Sequence, residues 1–221
     1  MRDIAQSSPP ELSDAEVEAP RLNRRQAAKV RTRQKVLDAA RALFAERGYE
    51  PATIRDIARG AGMSTGAVFA NFQDKAELFE AVLTEDLARL AESLRSASAA
   101  ETTARGRVVA ALTAAYHGSL DQLPLVQAVV ARSWFQPVAA EMRTREAVKP
   151  VVSVVTDALQ GGVRGGELRQ DADVHLLSEL IYGAFLSNYR RAAYDGWSME
   201  QMVEQLGRQV DVILAGALAR Q

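Results

Sequence analysis

The sequence predicts an all-α protein. Apolar residues recur at three- and four-residue steps along almost the whole chain beyond about residue 30, and alternating runs of β-branched residues are nearly absent. Ala and Leu are abundant, and Gly or Pro residues separate the apolar stretches. Hydrophobic residues make up 48% and charged residues 25% of the 221 residues, an ordinary balance for a globular protein.

The composition argues against an enzyme or a metalloprotein. The chain has no Cys and only two His residues, His117 and His175, so thiolate and histidine clusters lack ligands. We therefore expect no catalytic site, no metal and no cofactor. No stretch approaches the roughly 18 apolar residues of a membrane span. No apolar run of signal-peptide length follows Arg2 and Asp3, and we therefore expect a cytoplasmic protein.

The net charge of −1 hides an asymmetry along the chain. Residues 1–20 carry a charge of −4, residues 21–80 carry +5 and residues 81–221 carry −2. Positive charge concentrated in one segment favours a polyanionic partner. On charge alone, a solvated helix surface is an equally good interpretation.

We expect residues 1–28 to form a disordered arm that is first acidic and then basic. The acidic part includes Ser7-Ser8-Pro9-Pro10 and few large apolar groups, so it cannot bury enough surface to offset its ordering entropy. The basic residues that follow extend a little beyond this range. They are Arg21, Arg24, Arg25, Lys29, Arg31 and Arg33, with Lys35 close behind.

Residues 29–78 predict three short helices. The first covers about 31–47, carries one apolar stripe, and stops at Gly48, where a glycine commonly ends a helix. The second opens at Thr53, with Asp56 at the spacing of a capping box.

The second and third of these helices are joined by a glycine-rich turn at Gly60-Ala61-Gly62-Met63-Ser64. Ser64 can cap the third helix, about 65–72, and Asp74 then caps a long fourth helix. Two short helices joined by a tight turn have the layout of a helix-turn-helix, whose later helix enters the DNA major groove. The pattern alone would favour an ordinary three-helix bundle.

The expected solvent face of the third helix fits a groove lined by phosphates. It carries small, hydroxyl, amide or aromatic groups and no acid: Thr65, Gly66, Ala67, Phe69, Ala70 and Asn71. A helix in such a groove must avoid carboxylates and let its backbone approach the bases closely.

Four runs at fixed spacing carry a family resemblance: AARALFAERGY at 39–49, TIRDIA at 53–58, AGMSTGAVFANF at 61–72 and DKAEL at 74–78. Together they resemble the TetR/AcrR family of DNA-binding regulators, over roughly residues 31–83. The resemblance implies an N-terminal three-helix helix-turn-helix DNA-binding domain. It also implies a larger C-terminal helical domain, at 79–221, for effector binding and dimerisation.

The resemblance also implies which residues touch DNA. Arg55 would reach a base edge or a phosphate, and Lys75 would contact a phosphate at the start of the fourth helix. Phe69 stands where the family usually has a Tyr, so one phosphate-contacting hydroxyl is absent. Thr53 and Ser64 would either add hydroxyl contacts or act only as helix caps. The full predicted set is Thr53, Arg55, Ser64, Thr65, Gly66, Ala67, Phe69, Ala70, Asn71 and Lys75.

Only Arg55 and Asn71 in this set can make bidentate contacts to bases. We therefore expect phosphates to supply much of the affinity. The basic arm would contribute by reaching into an adjacent minor groove.

Beyond about residue 90 the chain shows no family signature, only helical patterns. Candidate helices cover about 104–119, 123–135, 138–161, 171–194 and 198–219. The last two carry broad apolar stripes: Leu176, Leu177, Leu180, Ile181, Ala184 and Phe185, then Met202, Val203, Leu206, Val210, Ile213, Leu214 and Ala217. Such helices can pair with a twofold mate as a four-helix bundle, or both stripes can serve the monomer core alone.

A ligand pocket is expected in this part of the chain. The candidate lining residues are Tyr116, His117, Trp134, Phe135, Met142, Tyr182, Phe185 and Tyr189, although each one taken alone would more often be a core residue. The run 134–137 is the preferred pocket wall. Its apolar character favours a hydrophobic or aromatic effector over a phosphorylated one.

These features predict a transcriptional repressor that binds a palindromic operator as a homodimer and is released by a small-molecule effector. A constitutive or activating regulator is the main alternative, and a pocket filled by its own side chains would distinguish it. An α-helical enzyme has little support, because no catalytic cluster stands at useful spacing.

Overall fold

The computed structural model describes residues 23–133 and 135–219, and within them the all-α prediction is confirmed. These residues form nine α-helices and a 3-10 turn at Leu120–Gln122, and no strand. The helices are α1 (Arg24–Arg47), α2 (Ile54–Gly60), α3 (Thr65–Phe69), α4 (Lys75–Ala99), α5 (Ala104–Ser119), α6 (Leu123–Ser133), α7 (Val138–Arg164), α8 (Val174–Asp195) and α9 (Met199–Ala215). In this part of the chain, no helix combines the length and the apolar character that a membrane crossing requires.

Side-chain caps set most of the helix starts. At each capped start, an oxygen of the residue before the helix accepts a hydrogen bond from the backbone N–H three residues on, which satisfies a donor that the helix leaves unpaired. The capping residues are Asn23, Thr53, Ser64, Asp74, Thr103, Asp173 and Ser198.

The start of α1 corrects the prediction of a disordered arm through residue 28. The helix begins at Arg24 instead of near residue 31. Asn23 and Gln26 form a complete capping box, in which each side chain accepts from the backbone N–H of the other at 2.9 and 3.0 Å. The Arg, Gln, Ala and Lys residues that follow are strong helix formers, so this part of the basic segment is helical.

Two hydrophobic clusters organise the molecule. The N-terminal cluster joins α1–α4 and one residue of α6: Val36, Leu37, Ala40, Phe44, Tyr49, Ala52, Ile57, Ala58, Val68, Phe72, Leu78, Phe79, Val82, Leu83 and Leu125. The C-terminal cluster begins at Ala91 in α4 and runs to Ala217. Leu87 packs against both. The two clusters therefore meet inside α4, near Leu87 and a little beyond the predicted domain boundary at residue 79.

The long helices α4, α5, α7, α8 and α9 surround the C-terminal cluster, and α4 packs along both α5 and α7. Pro150 lies inside α7. A proline has no N–H to donate, so the helix lacks one backbone hydrogen bond at that turn. The hydroxyl of Ser153 donates to the Pro150 carbonyl at 2.9 Å.

Candidate DNA-binding surface and effector cavity

Residues 53–72 fold as two short helices joined by a tight turn. Gly62 in the turn has a φ of +66°, a left-handed conformation that side chains rarely adopt. Ile57 of α2 and Val68 of α3 are fully buried in the N-terminal cluster, and Phe72 just after α3 is almost fully buried there. These anchors fix the orientation of α3, so its remaining faces can point to solvent.

The exposed face of α3 carries Thr65, Gly66, Phe69 and Ala70, whereas Ala67 is half-buried. Phe69 keeps 55% of its surface accessible and is the large apolar side chain on this face. A Cβ built on Gly66 would meet nothing closer than the Ser64 hydroxyl oxygen, at 3.8 Å. The fold itself therefore does not require glycine there, and its effect is to lower the surface so that a partner can approach the backbone.

Arg55 is an exposed cation on the helix before this face, and unlike Arg59 it is not paired with Asp56. It lies at the start of α2 and makes no ion pair or hydrogen bond to any described residue. The neighbouring hydroxyls serve as caps: Thr53 Oγ1 accepts from the Asp56 N–H at 3.1 Å, and Ser64 Oγ accepts from the Ala67 N–H at 3.2 Å. Arg55 is thus free to contact a partner, whereas the hydroxyls of Thr53 and Ser64 already cap α2 and α3.

Asn71 does not face the groove as predicted. Its Nδ2 donates to the Ala67 carbonyl at 2.9 Å, and its Oδ1 is buried without a partner among the described residues. The reason is that α3 ends at Phe69, short of the predicted end near residue 72. Asn71 therefore lies beyond the last turn and folds back over the end of the helix.

Lys75 is also placed differently from the prediction of a phosphate contact. Its Nζ donates to the carbonyls of Tyr49, Glu50 and Ala52 at 2.9, 3.2 and 3.1 Å, and it lies 4.2 Å from the centroid of the Tyr49 ring. An ammonium has three N–H donors, and all three are used here. Lys75 ties the start of α4 to the loop between α1 and α2.

Arg33, predicted as part of a DNA-contacting arm, packs against the end of α3. Its guanidinium lies 4.1 Å from the centroid of the Phe72 ring, and Nη1 donates to the Asn71 carbonyl at 3.2 Å. Arg21 lies outside the described residues. The other basic residues of the predicted set are exposed on α1: Arg24, Arg25, Lys29 and Arg31.

A cavity of about 340 Å³ lies between α4, α5, α6, α7 and α8. Most of its wall is aliphatic: Leu83, Leu87, Leu90, Ala114, Leu125, Val126, Val129, Val130, Val148, Val151 and Leu186. Polar groups stand at a few points: Arg41, Asp86, Arg89, Ser93, Ser119, Gln122, Tyr182 and Tyr189. Apolar walls with few polar groups are typical of sites for small organic ligands.

Three of the predicted pocket residues, Tyr182, Phe185 and Tyr189, line this cavity. Burial raises the pKa of Tyr182 to about 12, so its hydroxyl is neutral at physiological pH. Tyr116 is fully buried behind them: its hydroxyl donates to the Phe185 carbonyl at 3.1 Å and accepts from Asn188 Nδ2 at 3.0 Å. His117 is exposed and does not line the cavity.

Of the preferred wall at residues 134–137, the described residues 135–137 are not part of this cavity. Phe135 is 91% exposed, and Trp134 lies outside the described residues. Met142 is 64% exposed and borders a separate shallow groove between α4 and α7. Residues 135–137 connect α6 to α7, and such connections stay at the surface because their backbone polar groups need water.

The wall that sequence reasoning missed is α6 itself. Leu125 packs in the N-terminal cluster, while Val126 packs against the C-terminal one. A signal was present in the sequence, since residues 123–130 are apolar except for Gln127. A helix that is apolar on most sides is buried on most sides, and this one separates the two clusters.

Comparisons with known proteins agree with this geometry. The model of a family described as bacterial regulatory proteins, tetR family, matches residues 36–82, which include α2, α3 and most of the N-terminal cluster. In this region the chain is similar to the TetR family.

Two named relatives of the TetR family differ in how far the similarity extends. The HTH-type transcriptional repressor AcnR of Corynebacterium efficiens is 49% identical over 65 residues, 29% of this chain and 35% of AcnR. The chain thus spans only about a third of the length of AcnR and of three similar repressors. The HTH-type transcriptional repressor KstR2 of Mycolicibacterium smegmatis is 29% identical over 192 residues, 85% of this chain and 91% of KstR2. Both are named as repressors, in agreement with the expectation of a non-enzyme.

A solved TetR-family structure shares the fold over most of the chain. FadR of Thermus thermophilus, determined in complex with lauroyl-CoA, superimposes with a TM-score of 0.68 at 24% identity, covering 86% of this chain and 96% of FadR. At this identity the likeness concerns the fold alone.

Arg41 links the helices of the N-terminal cluster to the cavity. It belongs to α1, lines the cavity, and donates to a different carboxylate from each guanidinium nitrogen, at 2.7 Å in every case: Asp38 on α1, and Glu85 and Asp86 on α4. Arg89 also bonds Asp86. The second oxygen of Asp86 is buried without a partner among the described residues.

The predicted apolar stripe of α8 is partly buried and partly exposed. Leu177, Ile181 and Phe185 pack inside the C-terminal cluster. Leu176 and Leu180 remain 51% and 49% exposed. Exposed Gly183 and Ser187 continue this outer face, and Val212 of α9 is 77% exposed. The stripe of α8 therefore serves both the monomer core and an uncovered apolar face.

Proposed function

We propose that this protein is a transcriptional repressor that binds a palindromic operator as a dimer and is released by a small apolar effector. One observation carries the proposal: the cavity is lined by Arg41 of α1, the helix that packs against α2 and shares the N-terminal cluster with α3. An occupant of the cavity therefore touches a side chain that fixes the position of the DNA-binding helices.

The exposed face of α3 is suited to the major groove. It has no carboxylate, its glycine lowers the surface, and Arg55 beside it has no internal partner among the described residues. Because Asn71 is turned inward, Arg55 is the one strong base reader of the predicted pair that remains available. Phosphate contacts must then supply most of the affinity.

A dimer follows from the uncovered face of α8 and α9. Leu176, Leu180 and Val212 are exposed apolar side chains, and a Cβ at Gly183 would meet nothing within 4 Å. A second copy can therefore approach this face closely and bury it about a twofold axis. Two copies held in this way would present two α3 helices to successive turns of DNA.

The cavity indicates the chemistry of the effector. A volume of about 340 Å³ is near the small end of the usual range for ligand pockets. Its aliphatic walls favour an apolar body, such as an acyl chain or a fused-ring hydrocarbon. The neutral Tyr182 hydroxyl and the amide of Gln122 would receive an uncharged polar end.

Release would result from unequal affinity for two arrangements of the dimer. An effector that binds better when α4 is displaced from α1 would shift the population towards that arrangement. The bonds from Arg41 to Glu85 and Asp86 hold α1 and α4 together. The spacing between the two α3 helices would change when those bonds rearrange, and operator affinity would fall.

The decisive experiment is DNA binding followed by fluorescence anisotropy. The probe is the DNA upstream of the protein's own gene, or a site selected from random sequences, and the variants are wild type, Arg55→Ala and Arg95→Ala. Arg95 is an exposed α4 arginine paired with Glu92, so its loss controls for charge. We expect the Arg55 variant to bind at least tenfold more weakly and the Arg95 variant to bind like wild type. No specific binding by wild type at low salt would refute the proposed function.

A further inference from the structure

Cations on α1 form one row that faces the DNA-reading helix. Arg25, Lys29 and Arg33 follow one another at four-residue steps, so they share a face of the helix. Arg33 fixes the direction of that face, because its guanidinium packs on Phe72 and bonds the Asn71 carbonyl.

The row continues beyond the end of α3. Four residues of helix rise about 6 Å, so Lys29 lies one step and Arg25 two steps past the level of Arg33. Both side chains are exposed and make no ion pair with any described residue. The first buried residue of α1 is Val36, so the preceding helix projects from the N-terminal cluster.

A second set of cations gives a natural comparison on the same helix. Arg24, Arg31 and Lys35 share another face, about 140° around the axis from the first row. They are also exposed, and they match the first row in charge. They point in a different direction from the first row.

The beginning of α1 also lacks the acidic residues that usually stabilise a helix start. Its first turn contains Arg24 and Arg25 and no Asp or Glu. The positive end of the helix dipole and these cations repel each other. An external polyanion would remove this conflict, and the charge of the segment is therefore better suited to a phosphate backbone than to free solution.

We propose that Arg25 and Lys29 contact the DNA backbone beside the groove that α3 enters, and that Arg33 is a positioning residue that holds the end of α3. The cations of the opposite face, Arg24, Arg31 and Lys35, point away from DNA. This inference rests on the proposed DNA-binding function. It replaces a flexible arm in the minor groove with a rigid helical contact at residues 24–33.

The test compares two double variants across a salt series, with operator DNA as the probe. Each phosphate contact adds about 0.9 to the slope of log affinity against log salt. We expect Arg25→Gln/Lys29→Gln to lose about 1.8 from the slope and at least tenfold in affinity. Arg31→Gln/Lys35→Gln removes the same charge and should stay within threefold, with an unchanged slope.

Arg33 is tested separately because a positioning role has another signature. Arg33→Gln should weaken binding at every salt concentration by a similar factor and leave the slope unchanged. Arg33→Lys should restore most of the affinity, since an ammonium can still lie on Phe72 and donate to the Asn71 carbonyl. A slope reduced by about 0.9 in Arg33→Gln would identify Arg33 as a phosphate contact and overturn its positioning role.

Failure of this inference differs from failure of the proposed function. Suppose that wild type binds specific DNA and that the two double variants lose affinity equally. The effect of the positive charge then does not depend on the face of α1 that carries it, and the proposed orientation of α1 towards DNA is wrong. If wild type binds no specific DNA, the proposed function fails first. Circular dichroism of all variants establishes that α1 is still helical in each.

Discussion

The polar groups around the N-terminal cluster are cations that bond to the backbone, whereas those in the C-terminal cluster are buried neutral hydroxyls. Around the N-terminal cluster, Lys75 and Arg33 donate to backbone carbonyls and fix the loops and the end of α3. The C-terminal cluster borders a cavity of about 340 Å³ and buries tyrosine hydroxyls among neutral partners such as Asn188 and Ser119. Under the proposed function, the N-terminal surface holds one shape to read DNA, whereas the C-terminal region adopts two shapes to respond to an effector. The cavity provides the space that the second shape needs.

The largest expected effect concerns the buried tyrosines of the C-terminal part in alkali. Burial raises the pKa of Tyr116, Tyr182 and Tyr189, all in the C-terminal part. A raised folded pKa means that the stability is complete below the usual tyrosine pKa of about 10 and is lost as pH rises through the folded value. For Tyr182, with a pKa of about 12, the loss is about 2–3 kcal/mol.

Urea unfolding between about pH 9 and about pH 12 would measure this loss, with tyrosinate absorbance recorded in parallel. Tyr182→Phe removes one of the three groups and should unfold at a higher pH than wild type. An unchanged alkaline midpoint in this variant would show that Tyr182 is not held neutral by burial.

The same substitution at two alanines of α5 sharpens the comparison further. Ala111 is fully buried in the C-terminal cluster, and Ala114 lines the cavity three residues later. Ala111→Leu should destabilise the fold by about 1–3 kcal/mol, because close-packed cores resist added volume. Ala114→Leu should change stability by less than about 1 kcal/mol, since its side chain enters open space.

Thermal and urea unfolding of the two variants measure the difference in their free energies of unfolding. Titration of the DNA complexes with the effector then tests whether each variant still releases DNA. Ala114→Leu should lose effector-induced release of DNA while it keeps operator affinity. Equal destabilisation by both substitutions would mean that the space beside Ala114 is closed in solution.

Loss of Arg41 should affect the junction between the two regions. Arg41→Ala leaves Glu85 and Asp86 without their shared donor, and we expect a cost of about 1–2 kcal/mol in the free energy of unfolding. Its distinctive effect is on coupling: the effector should bind with similar affinity but release DNA less completely. Arg95→Ala, which removes an exposed arginine of α4, is the control. Full release in the Arg41 variant would place the coupling elsewhere.

The smallest expected effect concerns the exposed ring of α3. Phe69→Tyr adds a hydroxyl to a side chain that is already 55% exposed, so folding should be unaffected. A new hydrogen bond to a phosphate contributes about 0.5–1.5 kcal/mol, which corresponds to a two- to tenfold gain in operator affinity. Anisotropy titrations of the two proteins would detect it, and a gain shared equally by random DNA would show that the contact is to the backbone.

The helices of this protein were predictable because their signals are local. Thr53, Ser64 and Asp74 mark helix starts within three residues of the bonds they make. The roles of Arg33 and Lys75 were not, because their partners lie 38 and 23–26 residues away in sequence. Whether a cation contacts a phosphate of DNA or a carbonyl of its own chain depends on tertiary packing, and the local sequence pattern does not reveal that packing.

The cavity illustrates a second limit of sequence patterns. Tyr182, Phe185 and Tyr189 line the cavity and were predicted because aromatic and polar groups commonly line ligand pockets. The aliphatic wall from α6 was not, since a Val that borders empty space and a Val in a packed core have the same pattern. Phe135 was wrongly assigned to the wall, because an aromatic residue in a connecting loop has no periodicity to orient it.

Pro150 bears on how such a cavity could acquire new ligands. It lies between Val148 and Val151, two side chains of the cavity wall, at the turn of α7 that lacks a backbone hydrogen bond. A helix bends most cheaply where that ladder is interrupted. One wall of the cavity thus contains a point at which α7 can bend. Substitutions near Pro150 can therefore change the cavity volume while the two ends of α7 stay packed as they are.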